Sequence, residues 1–323
     1  MNIEQIENGG YRIGIPVPFP MKYVYCYLFK QQDHYVLIDV GFNYQTAREA
    51  WQEVFTQLNI SPTEIKIIYL THFHPDHSGL SGWMQQLTGA DVYMHEIDMN
   101  MIERVWGENS VQTTSMKEML LDYGVPAQLS EEIIEHMEKI TKHVLPLPTV
   151  SPIGRQVEFG EKKWHVIHTP GHSAGHICFY QEEDQILIAG DHVLDKITPN
   201  ISVWPGASQE PLHEYIESLL KIKQFPAKKV YSAHGKVIED LVTRVDELIS
   251  HHEERLSKIE ALADMKSAFE IAEVLFAHKE LSPHQWRFAI AETLAHLYFL
   301  ERENRVSRAG TRPIMYTKKV NVV

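Results

Sequence analysis

The chain is poor in cysteine: 323 residues hold two, Cys26 and Cys178, each inside an apolar, strand-like run (Tyr23 to Phe29 and Ile177 to Tyr180). So few thiols exclude a disulfide-built secreted scaffold, and their setting reads as buried, reduced thiols. Also missing is any uninterrupted apolar run of the roughly 18 residues that a membrane span needs. The stretch Met1 to Gly10 has neither the basic start nor the apolar run of a secretory signal, so a cytoplasmic protein is expected. Basic charge is in deficit as well. Thirty Lys and Arg stand against 43 Asp and Glu, a net charge of −13, which argues against a general polyanion binder. No internal repeat or low-complexity stretch is visible.

What is present is an ordinary globular mix, 44% apolar and 23% charged, long enough for one large core and a second, smaller one. The charge deficit lies wholly in residues 1–250, since residues 251–323 carry 11 basic and 10 acidic side chains. That change of balance predicts two units, 1–240 and 241–323.

In the first unit, apolar runs at Tyr23 to Phe29 and Tyr35 to Val40 predict paired strands. Helical spacing of Ala47, Ala50, Trp51, Val54 and Leu58 predicts a helix over Gln45 to Leu58. A buried strand, Ile65 to Leu70, runs into Thr71-His72-Phe73-His74-Pro75-Asp76-His77, and a helix is predicted from about Ser78. Strand, ligand-rich loop and helix in succession predict an α/β arrangement with its chemistry at the strand's carboxyl end. Further strands are predicted at Asp91 to Glu96, Trp164 to His168, Ile177 to Tyr180, Ile186 to Ala189 and Lys229 to Ser232, with a helix from Glu210 to Gln224. Between the strands at Asp91 to Glu96 and Trp164 to His168, residues 98–143 read as a helical, methionine-rich insertion: core filling, a lid over the site, or an interface.

The second unit reads as helices at Leu241 to Ala263, Ser267 to Ala277 and Ser282 to Glu303. A hairpin over Asn304 to Lys319 follows, with Arg305-Val306-Ser307 facing Ile314-Met315-Tyr316. Helices followed by a basic two-stranded wing suggest a winged-helix-like domain.

The chemistry is concentrated in His72-x-His74-x-Asp76-His77. Alternate residues at a strand end point the same way, so His72 and His74 can grip one metal ion. Pro75 keeps His74 out of helical geometry, and the turn that follows carries Asp76 and His77 to a second position. Imidazoles with a carboxylate suit zinc-like ions. Four ligands cannot complete two sites, so more are required downstream. Three candidates follow strands or a tight Gly-rich turn: His172 in Thr169-Pro170-Gly171-His172-Ser173-Ala174-Gly175-His176, Asp191 after Ile186 to Gly190, and His234 after Val230 to Ala233.

Over residues 1 to about 240 this pattern resembles the metallo-β-lactamase superfamily. The resemblance implies an αββα sandwich carrying two divalent ions, zinc first, with manganese or ferrous iron as alternatives. Carried over residue by residue, His72, His74 and His172 would hold one ion and Asp76, His77 and His234 the other, with Asp191 bridging. Two-zinc β-lactamases carry Cys where this chain has Asp191, and flavodiiron proteins carry Glu at the position of His74. The pattern is most similar to glyoxalase II and its thioesterase and lactonase relatives. The C-terminal unit resembles the winged helix of the lactamase-beta-2-like branch, which includes endoribonucleases and polyketide thioesterases; persulfide dioxygenases share most of the motif with one iron.

The expected activity is therefore hydrolysis of a small ester or thioester by a hydroxide bridging two ions, with Asp76 orienting it or passing on its proton. Asp39, His176 and His192 are candidates for supporting roles around the ligands. From Arg302 to Lys319, six basic residues oppose one acid, Glu303, so nucleic acid could touch only this strip. The sequence leaves the oligomeric state open.

Overall fold

Strand-forming runs in the first 95 residues, joined by one later strand, build one large sheet in the computed structural model, which describes residues 2–107 and 110–319. Its strands lie in chain order: β1 (Asn2–Gln5), β2 (Gly10–Pro16), β3 (Tyr23–Gln31), β4 (His34–Ile38), β5 (Ile65–Tyr69), β6 (Asp91–Met94) and β7 (Val150–Pro152). The first four pair antiparallel and β4 to β7 pair parallel, so the carboxyl ends of β4, β5 and β6 share one edge. The parallel connections need crossovers. They are α1 (Gln45–Leu58), then α2 (Pro75–Ser78) with α3 (Ser81–Thr88), then α4 (Glu96–Trp106), α5 (Gln112–Asp122) and α6 (Ala127–Thr141). The expected helix start near Ser78 is thus earlier, at Pro75, whose fixed φ suits a first helical position.

A second sheet is made of β8 (Gln156–Phe159), β9 (Lys162–His168), β10 (Ile177–Gln181), β11 (Ile186–Gly190) and β12 (Lys229–Ser232). β11 and β12 are parallel, joined through α7 (Pro211–Ile222).

The period-2 alternation decides which side faces what. Tyr27, Phe29, Val36, Ile38 and Tyr69 of the first sheet meet Phe159, Trp164, Phe179, Ile188 and Tyr231 of the second, forming the inner core. The alternate set, Leu28, Leu37 and Ile68, packs outward with Trp51, Val54 and Met84 of the first helical layer. The outer face of the second sheet packs with α7 and with helices from either side of it in sequence. The result is a four-layer αββα sandwich. Both cysteines are free and buried in it.

Beyond residue 240 come α8 (Leu241–Leu262), β13 (Asp264–Ser267), α9 (Ala268–Leu275), α10 (Pro283–Arg302), β14 (Val306–Ala309) and β15 (Met315–Lys318), the three strands forming a small antiparallel sheet. β13 was not expected. The hairpin also pairs differently from expectation: Ser307 faces Thr317 and Ala309 faces Met315. The cause is tertiary, because the Ile314 N–H donates to the Asp122 carbonyl at 2.7 Å, and pairing begins only at Met315. One apolar cluster runs across residue 240, joining Met116, Leu120 and Met137 to Leu212, Leu256, Ile290 and Leu294. No described helix is long and apolar enough to cross a membrane.

Candidate metal centre

Strand ends and one turn deliver seven side chains to the shared edge. The segment after β5 supplies His72, His74, Asp76 and His77; the β9–β10 turn supplies His172; the residues after β11 and β12 are Asp191 and His234. Glycine makes two of these approaches possible. At Gly171, φ is +135° and a Cβ would come within 2.4 Å of Tyr215; at Gly190, φ is +50° and a Cβ would meet the His176 ring at 2.8 Å.

The donors fall into two groups, His72, His74 and His172, and Asp76, His77, Asp191 and His234, whose candidate ligand atoms within each group lie within 4.8 Å of one another. Asp191 faces both. Its Oδ2 is 3.5 Å from His172 Nε2, and its Oδ1 is 3.4 Å from His77 Nε2 and 3.5 Å from His234 Nε2. Asp76 Oδ2 lies 3.3 Å from His234 Nε2.

The outer ring nitrogens fix which nitrogen is free to ligate. His172 Nδ1 bonds the Asn200 carbonyl at 2.9 Å and His234 Nδ1 the Tyr23 carbonyl at 2.9 Å, so both Nδ1 atoms carry the proton. His77 Nδ1 donates to Asp39 Oδ2 at 2.8 Å. The Thr71 hydroxyl also donates to Asp39 Oδ2, at 2.8 Å, and so accepts from His72 Nδ1 at 3.0 Å. Asp39 additionally takes the Thr71 N–H at 2.8 Å, and holds a left-handed backbone, φ +56°, that Asp tolerates better than most residues. The inner Nε2 atoms of His72, His77 and His234, with Asp191 Oδ1, are buried and have no hydrogen-bond partner. Three orphaned atoms in the second group, and His72 Nε2 in the first beside His74 Nδ1 and His172 Nε2 that lie 2.9 Å apart, fit a binuclear divalent metal site of nitrogen and oxygen donors.

Electrostatics agree with that fit. Burial and the neighbouring imidazoles push His72 and His74 well below the ordinary histidine range, leaving the neutral rings that bind metals. Burial acts the same way on His77 and His234, but Asp191 and Asp76 outweigh it and raise both in the metal-free chain. A bound cation would take the place of any added proton. The carboxyls of Asp76 and Asp191 stay low despite burial, because His77 and His234 face them.

The two remaining histidine candidates sit beside the ligands. His176 is fully engaged: Nδ1 bonds the Thr169 hydroxyl at 2.9 Å and Nε2 accepts the Asp191 N–H at 3.1 Å. It therefore positions the backbone of Asp191 and offers no lone pair to an ion. His192 is buried and absent from the lining of the neighbouring cavity, its ring edge-on to Tyr215 at 5.3 Å.

One supporting residue has no signal in the sequence. Asp98 in α4 is buried and accepts from Phe73 N–H at 3.0 Å, Ser173 Oγ at 2.8 Å and Gly175 N–H at 2.7 Å. It ties the His72–His77 segment to the His172 turn. In sequence it is an acid in a helix's first turn, which normally reads as a solvated dipole partner.

The family model of the metallo-beta-lactamase superfamily matches residues 20–234, a span that contains all seven candidate ligands. The chain belongs to the metallo-β-lactamase superfamily. A second model, the metallo-beta-lactamase-like C-terminal domain, matches residues 256–317. Among curated proteins, a probable metallo-hydrolase of Bacillus subtilis is 27% identical over 327 residues, covering 95% of this chain and 96% of that protein. A beta-lactamase-like protein 2 homolog of Caenorhabditis elegans is 26% identical, covering 83% of this chain and 70% of its own. Among solved structures, a metallo-beta-lactamase family protein of Thermus thermophilus is 35% identical with a TM-score of 0.87, covering 96% of this chain and 99% of that one.

In this member of the superfamily the two ligand groups open on a cavity of about 750 Å³, within the usual range for small-molecule sites. His74, Asp76, His172, Asp191 and His234 line its floor. Its walls are mostly apolar and come from four distant segments, represented by Phe19, Met116, Met137, Ile197, Trp204 and Phe288. Three methionines of the helical insertion, Met101, Met116 and Met137, are on the wall, as is the first turn of α10. The C-terminal unit thus helps to enclose the site.

Proposed function

We propose that this metallo-hydrolase cleaves an ester or thioester whose acyl part lies along the apolar cavity, using two divalent ions, zinc first among them. The observation that carries the reading is the juxtaposition of the two ligand groups, five of whose seven residues form the cavity floor, with mostly apolar walls. Two such ions supply water activation at neutral pH and polarise an acyl carbonyl. The chain's own residues do the rest. Asp191, facing both groups, would be a ligand to both ions, and His176 holds its backbone in place. Asp76, an ionised carboxylate of the second group, reaches the cavity, where it can orient the attacking water by accepting its hydrogen bond. The walls exclude bulk water and align the acyl group, and Met116 and Met137 adapt to its shape.

We read the C-terminal unit, helix–strand–helix–helix followed by two strands, as a winged helix serving the cavity. Its ion pairs support this use over nucleic-acid binding. Arg302 pairs with Glu210, Arg305 and Lys318 with Glu260, Arg308 with Glu301, and Arg312 with Glu118 and Asp122. Lys319 bonds Asn304. A strip neutralised by its own acids releases few counterions from a phosphate backbone.

The test is a panel of acyl thioesters and esters of increasing chain length, with a lactone, a persulfide and RNA alongside, on metal-loaded protein. The expected result is thioester or ester turnover that chelation abolishes and that improves with acyl length. Metal-dependent RNA cleavage with no ester turned over would replace this reading with the nuclease one.

A further inference from the structure

The cavity carries a second cluster that the hydrolytic reading does not use. Arg287 and His284, in the first turns of α10, stand on its wall beside His136 of α6. The rings of His136 and His284 are 4.7 Å apart, and the Arg287 guanidinium lies over Trp204 and Phe288 at 5.4 and 4.7 Å. Among the described residues, none of the three side chains has an ion pair, and the buried Nε of Arg287 and Nδ1 atoms of His136 and His284 lack any hydrogen-bond partner.

An unpaired guanidinium in such a place is costly, because cation–π contacts recover only part of its lost hydration. Burial accordingly lowers Arg287 to about 10, which still leaves it charged at neutral pH. Among the described residues, no acid of the cavity answers it. Glu292 is taken by Arg255 at 3.7 Å and Asn200 at 3.1 Å, while Asp76 and Asp191 face the ligand histidines. Lys279, also on the wall, adds positive charge. Both histidines are driven down chiefly by burial and then by Arg287, so they offer neutral N–H donors.

We propose that Arg287, His136 and His284 form an oxyanion subsite that receives a carboxylate or phosphate borne by the substrate whose acyl bond lies over the metal-ligand floor. This rests on the ester or thioester reading and narrows it to anionic substrates. The planar guanidinium supplies a bidentate fork, and the two imidazoles supply single donors. The substrate's charge then completes the chain's missing ion pair inside an apolar enclosure. A neutral acyl chain would leave the three donors dry and unsatisfied, so the subsite selects against it.

The experiment compares three thioesters on metal-loaded wild type and variants: hexanoyl, its ω-carboxylate analogue and its ω-phosphonate analogue. Wild type is expected to prefer an anionic substrate in kcat/KM, the better of the two identifying the natural anion. Arg287→Gln should reduce that preference about 10- to 100-fold, mainly through KM, and Arg287→Lys should keep part of it. Equal use of neutral and anionic thioesters by wild type, or a preference that survives Arg287→Gln, overturns the proposal. A second readout is independent of turnover: calorimetric binding of octanesulfonate, a poor metal ligand, against octanol. If no ester is hydrolysed but sulfonate binding still needs Arg287, the ester reading fails and the anion subsite stands. Finally, Arg287→Met should leave the melting temperature unchanged or raised, since it removes a half-buried unpaired charge; a marked fall would assign Arg287 a structural role and overturn the subsite.

Discussion

Replacing Asp39 by Asn changes one atom and tests the organisation of the whole metal centre. The carboxylate is 2% exposed and accepts from three donors: the Thr71 N–H, the Thr71 hydroxyl and His77 Nδ1, each at 2.8 Å. An Asn side chain has one acceptor and one donor face. With its oxygen toward Thr71 N–H, its NH2 points at the His77 Nδ1–H; flipped, the NH2 points at the Thr71 N–H. Either way a buried donor is left unpaired, which costs about 1–3 kcal/mol. His77 can relieve the first arrangement only by moving its proton to Nε2, the nitrogen that faces Asp191, and it then loses its lone pair for the ion. His72 is drawn in through the Thr71 hydroxyl, so both ligand groups feel the change. Loss of such an outer contact weakens metal binding about 10- to 100-fold. The assay is metal content per chain after dialysis against a graded chelator series, with denaturant unfolding of metal-free protein in parallel. Retention of two ions at wild-type affinity, with unchanged stability, would refute the argument that Asp39 sets the tautomer of His77.

Three further outcomes follow from the same geometry. His172→Ala should lose nearly all activity and His176→Ala about 10- to 100-fold, since the latter only positions Asp191; the reverse order in steady-state kinetics would mean that the ligand in this turn is His176. Met137→Gln with Met116→Gln should raise KM more for a long acyl thioester than for a short one, and an equal rise for both would return these helices to a purely structural duty. Burial raises the Asp98 carboxyl to about 6, against an ordinary value of 3.8, so the folded chain binds the extra proton between roughly pH 4 and 6 and its contribution to stability falls as pH rises through that window. In metal-free protein the stability advantage of wild type over Asp98→Asn should therefore be larger at pH 4.5 than at pH 7.5, as measured by denaturant unfolding; a gap that is constant or grows with pH would show that Asp98 is not raised.

The ligand positions were legible because each stands where a local pattern stops. His72, Asp191 and His234 follow runs such as Ile65 to Leu70 and Ile186 to Ala189, short, β-branched and apolar, which read as buried strands. The αββα layering follows from the same runs, helped by the family resemblance. Elements fixed by tertiary contact were not legible. Asp264-Met265-Lys266-Ser267 shows no apolar alternation, and becomes β13 only because β15 arrives beside it. The hairpin register is offset because Ile314 spends its N–H on α5 rather than on the opposite strand. Asp98 is silent for a related reason: its three donors lie 25, 75 and 77 residues away, and nothing local distinguishes it from a surface acid.

The same contrast separates chemistry from recognition in this molecule. Ligands occupy strand ends on a rigid sandwich, where a one-residue slip would turn a side chain to the wrong face, so their pattern is tightly constrained. The cavity walls are drawn from residues near 20, 101–140, 194–204 and 276–292, and from helices and loops that can vary without moving an ion. Shared ligands therefore imply shared metal chemistry among relatives, while a shared substrate requires the walls to agree as well. For a relative at 27% identity, such as the Bacillus subtilis protein, the deciding positions are those aligned with His136, His284 and Arg287. Where a relative keeps the fork at Arg287, an anionic acyl substrate is expected. Where an apolar residue stands there instead, the same floor should serve a neutral one, because the half-buried charge that demands a counter-ion is gone.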